Sequence, residues 1–172
     1  MGGRWLGVFV FAACGSPTPD APHPSNGSAF VVAAEGGDVI HRKGNTVVVK
    51  VDPRTGSQNL AMGTQHLDPG SGIPMHRHEH EDEVLFVHEG EGVAVLEGTK
   101  TVVHTGGTIF IPHGTWHGVE STGGAAELVW VVTPPGLEDY FRDTGVRAGD
   151  PPTLTPAELD DIGRKHGTTF KH

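Results

Sequence analysis

His76, His78 and Glu83 lie between Gly70 and Gly90, and His117 lies between Gly106 and Ser121. Imidazole and carboxylate are the side chains that hold borderline divalent metals. One residue separates His76 from His78. On a β-strand side chains alternate with period two, so that spacing sets both rings on one face. A helical site would use i, i+4 spacing, as in HExxH. The pattern therefore predicts metal ligands carried on strands. His80 sits in the acidic stretch Glu79-His80-Glu81-Asp82 and is expected in a turn, with a fifth ligand as the alternative. Glu81 and Asp82 read as solvated turn charges, unless a displaced register makes Asp82 the acidic ligand.

Many short strands are needed to position such groups. The 26 glycines and 13 prolines favour frequent turns over long helices. Extended segments are predicted at 29–33, 39–41, 47–51, 60–67, 83–87, 93–96, 101–104, 108–111, 116–119 and 127–133. Their close spacing predicts an all-β sandwich or barrel. Phe86, Phe110 and Trp130 are expected in its core, and Trp116 is expected to pack beside a ligand. After Pro134-Pro135 the pattern changes. Leu137, Tyr140 and Phe141 have helical spacing. Thr155-Pro156-Ala157-Glu158 forms a capping box with proline at the first helical position. That second helix should run to Lys165 or His166 and stop before Gly167. Both helices are expected on the outside of the barrel.

The chain has 172 residues, which suits one domain with one core. Its formal charge of −9 argues against a nucleic-acid partner. Arg4 followed by the apolar run Trp5–Ala13 has the length of a secretory leader and is too short to span a bilayer. Ala12-Ala13-Cys14, then Gly15-Ser16-Pro17, resembles a bacterial lipoprotein signal, although Phe11 departs from its usual aliphatic residue. That resemblance implies cleavage after residue 13, lipidation of Cys14 and an exported, membrane-anchored protein of the cell envelope. An ordinary cleaved leader is the alternative. Cys14 is the single cysteine, so neither an internal disulfide nor a thiolate metal site is available. Residues 14–28 are rich in Pro, Ser, Asn and Gly and read as a flexible linker.

The two histidine segments together resemble the cupin superfamily. In the first, Gly70 is followed after five residues by His76-x-His78, after four more by Glu83 and after six more by Gly90. In the second, Gly106 is followed after five residues by Pro112-x-Gly114, after two more by His117 and after three more by Ser121, where the family has Asn. The resemblance implies a single antiparallel barrel of the jelly-roll type over residues 29–134, with a helical extension over 135–172. It also implies that His76, His78, Glu83 and His117 hold one divalent transition metal: Fe, Mn, Ni, Cu, Co or Zn. Thr133-Pro134-Pro135-Gly136-Leu137-Glu138-Asp139-Tyr140-Phe141 and His166-Gly167 resemble the tail of small quercetinase-like cupins. That similarity implies a dioxygenase-like oxidoreductase acting on a small organic substrate, with Glu83 also serving as catalytic base. A non-catalytic, envelope-anchored module that binds a small molecule or metal is the alternative. A phosphate-binding isomerase is disfavoured, because only Arg77 and Lys100 are basic near the site and both are expected to face outward. Related proteins often form homodimers through an exposed sheet, which makes a homodimer a further expectation.

Overall fold

The computed structural model describes residues 28–146, 150 and 154–171. The expected leader, Cys14 and the linker as far as residue 27 lie outside the described residues. Among the described residues eleven strands and two α-helices follow one another. They are β1 (Asp38–Arg42), β2 (Asn45–Val51), β3 (Ala61–Leu67), β4 (Ile73–His78), β5 (Asp82–Glu89), β6 (Glu91–Leu96) and β7 (Thr99–His104). After them come β8 (Thr108–Ile111), β9 (His117–Ser121), β10 (Ala126–Thr133), α1 (Leu137–Thr144), α2 (Pro156–Lys165) and β11 (Thr168–Phe170). The strands form a six-stranded sheet in the order β1-β2-β3-β10-β5-β8 and a five-stranded sheet in the order β11-β4-β9-β6-β7. Every named pairing is antiparallel. The two sheets face each other as a jelly-roll barrel, the expected all-β class.

The alternation of side chains builds the interior. Along β3 and β10 every second residue is buried, and Ala61, Leu67, Leu128, Trp130 and Val132 join Leu85 and Val87 of β5 in one core. Trp130 is its largest buried side chain, and its indole Nε1–H donates to the carbonyl of Thr64 at 3.2 Å. A Cβ on Gly63 would lie 2.1 Å from the carbonyl oxygen of Val48 and 2.6 Å from the Trp130 ring. Glycine at that position is what lets the indole approach β3 so closely.

Four expectations are corrected. Residues 29–33 form no strand; they lie beside β2 and β3, held in part by Lys50 Nζ donating to the carbonyls of Ala34 and Gly36. Phe86 and Phe110 are exposed rather than core, because Glu83 and Leu85 take the inward positions of β5 and the alternation then turns Val84 and Phe86 outward. Glu81 is buried rather than solvated. The helices do not simply decorate the outside: Leu137, Tyr140 and Phe141 of α1 are core residues, with the Phe141 ring 5.5 Å from Trp130.

The α1 helix is fixed by charge as well as by packing. Asp52 is fully buried. One of its oxygens accepts from Thr55 N–H at 2.9 Å and the other from Arg142 Nη2 at 2.6 Å. Arg142 also meets Asp38 at 2.7 Å and Asp139 at 3.1 Å. Arg142→Met is expected to cost about 3–5 kcal/mol, because it strands the Asp52 charge in the interior. Urea unfolding measures the loss; a change within ~0.5 kcal/mol, typical of surface substitutions, would contradict this role.

Candidate metal centre

His76 and His78 stand on β4, two positions apart on the inward face, as the spacing predicts. His117 opens β9, which pairs with β4 so that His76 and His117 are directly opposed. Glu83 comes from β5, in the other sheet, and points inward across the barrel. Each of the four residues is buried, and their ligand atoms all lie within 4.8 Å of one another. His76 Nε2 is 3.2 Å from His78 Nε2, and His117 Nε2 is 3.1 Å from Glu83 Oε2. His78 Nε2 lies 3.5 Å from the same carboxylate oxygen.

The outer nitrogens show why the inner ones converge. His76 Nδ1 donates to the carbonyl of Pro74 at 2.8 Å, and His117 Nδ1 donates to the carbonyl of Thr115 at 2.9 Å. A carbonyl only accepts, so both rings carry their proton on Nδ1. In a neutral ring the Nε2 lone pair then faces the cluster. His78 Nδ1 meets Thr168 Oγ1 at 3.1 Å, which orients the third ring in the same sense. Three imidazole nitrogens and one carboxylate thus point at a common centre, and such a group suits a divalent cation.

Electrostatics agrees with that fit. His76 is held well below its ordinary value, first by burial and then by the neighbouring His117 and His78. A second proton on that ring is therefore disfavoured, and its Nε2 stays available as a donor atom. Burial works against the Glu83 anion, but the imidazoles of His117 and His78, 3.1 and 3.5 Å away, outweigh it and keep the carboxyl far below the usual carboxylate range. The acidic member is therefore ionised, as ligation requires.

Other histidines lie elsewhere. His80 is exposed and outside the cluster. Asp82 is not the inward acid; its carboxylate accepts from the backbone N–H of His113 at 2.8 Å and meets the His113 ring at 2.9 Å. His66 pairs with Glu127, and His104 with Glu91. Trp116 packs beneath the Arg77 guanidinium at 5.0 Å, and Lys100 pairs with Glu120.

The C-terminal strand was missed in the sequence. β11 pairs with β4, placing Thr168 opposite His78 and Phe170 opposite His76. The Phe170 ring stacks on His76 with centroids 5.8 Å apart. Gly167, at φ 68°, ends α2 in the left-handed conformation and turns the chain into this strand. Thr-Thr-Phe after a helix-ending glycine is the local signal that was available. Thr168→Val is expected to weaken metal binding by about 10–100-fold, and Thr168→Ser to restore most of it. Competition against a chromophoric chelator reads both, and unchanged affinity in the valine variant would contradict a role for Thr168 in setting His78.

A cavity of about 200 Å³ opens onto the cluster and is lined by His76 and Glu83 together with residues of both helices. Its walls include Leu85, Leu137, Phe141 and Phe170, and α1 roofs it. Arg42 and Lys43 also line it, although the sequence had suggested no cation in the pocket.

Residues 63–133 match the family profile described as Cupin domain. The barrel has the jelly-roll cupin fold. Structures of similar fold include KdgF from a Halomonas species, with a TM-score of 0.57 at 20% identity over 62% of this chain and 94% of that one. The polyketide cyclase RemF from Streptomyces resistomycificus has a TM-score of 0.55 at 26% identity, covering 63% of this chain and 83% of that one. An oxalate-binding protein of Thermotoga maritima is 37% identical over 57 residues, which are 33% of this chain and 47% of that protein. This chain thus spans about half the length of that curated relative. In this setting the cupin domain has a buried His3Glu group able to hold a metal and a cavity able to take a small molecule.

Proposed function

We propose that the cupin domain is a metal-dependent oxidoreductase of the dioxygenase-like class, with His76, His78, His117 and Glu83 as the ligands of one divalent ion. The observation that carries this reading is the convergence of three tethered imidazoles and one carboxylate beside a small cavity. Iron, manganese, nickel, copper, cobalt or zinc all suit such a donor set. The ion, when bound, would supply Lewis-acid stabilisation for a substrate oxyanion and a means of engaging dioxygen. Both atoms of dioxygen would enter the product, so the reaction needs no separate reductant.

The chain's own residues do the rest. The cavity of about 200 Å³ is small beside ordinary ligand pockets, which suits a single-ring or short-chain substrate. Leu85, Leu137, Phe141 and Phe170 give its body an apolar surface and exclude water. Glu83 takes the proton of the substrate hydroxyl at a carboxylate oxygen. It becomes a competent base only when it draws away from the His117 and His78 rings, since these hold its carboxyl low. The proposed setting is the cell envelope, following the leader-like residues 1–13 and Cys14. Among the described residues no helix is long and apolar enough to cross a membrane.

A second reading, a module that binds without turnover, is favoured by that same low carboxyl of Glu83 and by the oxalate-binding relative. Oxygen uptake by metal-loaded protein, measured against single-ring catechols and short enol acids, separates the two. Uptake that matches product formation supports the oxidoreductase. Ligand-induced stabilisation with no uptake by protein loaded with each redox metal in turn contradicts it and favours the binder.

A further inference from the structure

The cavity has a charged end. Arg42 closes β1 and lines the cavity. One of its five N–H donors goes to Tyr140 Oη at 2.8 Å. Its guanidinium lies over the Tyr140 ring at 4.9 Å and the Phe141 ring at 5.5 Å. Arg54, Lys100, Arg142 and Arg164 each meet a carboxylate. Arg42 meets none among the described residues. Lys43, which lines the same cavity, likewise meets no carboxylate among the described residues. Fixed on two aromatic faces, Arg42 keeps most of its donors for something else.

A second group points the same way. Gln65 faces inward from β3 and lines the same cavity. It is only 6% exposed, yet its side-chain amide has no hydrogen-bond partner among the described residues. The amide is not among the sealed polar atoms that lack a partner, so it is open to the cavity, where both its oxygen and its N–H groups are available to a polar ligand.

We propose that the cavity takes a small organic acid, with its carboxylate paired to Arg42 and a hydroxyl or keto oxygen hydrogen-bonded to Gln65. A planar guanidinium matches a carboxylate through two parallel N–H···O bonds. The apolar walls between the two ends suit a carbon body rather than an inorganic anion. Arg42 lies outside residues 63–133, so this recognition belongs to the strand that precedes the matched segment. The proposal rests on the metal-centre reading only for the inner end of the ligand; the outer end stands on Arg42 and Gln65.

Calorimetric titration of metal-loaded protein with 2-hydroxybenzoate and with its neutral amide tests it. The acid is expected to bind at least about tenfold more tightly than the amide, as a charge-assisted pair requires. Arg42→Gln should reduce that ratio to about one, whereas Arg42→Lys should keep part of it. Gln65→Leu should weaken both probes to a similar degree. If Arg42→Gln fails to fold, the wild-type ratio and the lysine variant decide. Equal binding of acid and amide by wild type, or a ratio that survives Arg42→Gln, would overturn the proposal. Titration of metal-stripped protein separates this from the metal reading. A ratio that depends on Arg42 with and without metal supports the acid site, even if stripping leaves absolute affinity unchanged and so counts against the metal centre.

Discussion

Replacing His76 with alanine is expected to lower metal affinity by more than the ~10–100-fold loss that removal of an outer partner brings. His76 is central to the group: its Nε2 lies 3.2 Å from that of His78, and its ring centroid lies 4.1 Å from that of His117. Alanine removes one of four donor atoms and leaves no side chain able to replace it. The ring stacked on His76, that of Phe170, carries no ligand atom. Stability gives an independent readout. A ligand present at 1,000 times its dissociation constant raises stability by about 4 kcal/mol. Wild-type protein should therefore show a metal-dependent rise in melting temperature, and His76→Ala should lose most of it. An equal rise in both proteins would place the metal elsewhere.

Substituting Glu83 with glutamine is expected to lower turnover per bound metal by about 10²–10⁴-fold, the usual worth of a positioned base. Glutamine keeps the size of the side chain and one ligating oxygen, but it has no anionic charge and accepts no proton. Substrate affinity should change much less than turnover, because the walls and the Arg42 end are untouched. The ratio must be taken per bound ion, since Glu83 is also a proposed ligand and its loss lowers occupancy. Oxygen uptake normalised to metal content measures it. Turnover per ion within about twofold of wild type would remove Glu83 from proton transfer while leaving it in the ligand set.

Most of the cluster was legible because its determinants are local. The His76-x-His78 spacing fixes one face of one strand whatever that strand pairs with, and it did so in β4. Glu83 and His117 were found through spacing to glycine and proline, and the structure brings both to the same point. What escaped depends on distant partners. The three residues of β11 have no periodicity of their own and become a strand by pairing with β4, 90 residues earlier at Thr168 and His78. Arg42 and Gln65 look like ordinary strand residues until α1 covers the barrel and encloses them in a cavity. The outward placement of Phe86 was readable, since an inward Glu83 sets Leu85 and Val87 inward and Phe86 outward. Hydrophobicity alone suggested core, and alternation was the stronger rule.

Anomalous scattering from crystals of the metal-loaded protein tests the central claim most directly. The account predicts one ion, bound by the Nε2 atoms of His76, His78 and His117 and by a Glu83 oxygen, each at about 2.0–2.2 Å. A peak held by His66, His80, His104 or His113 instead, or no peak inside the barrel from protein shown to contain stoichiometric metal, would contradict it.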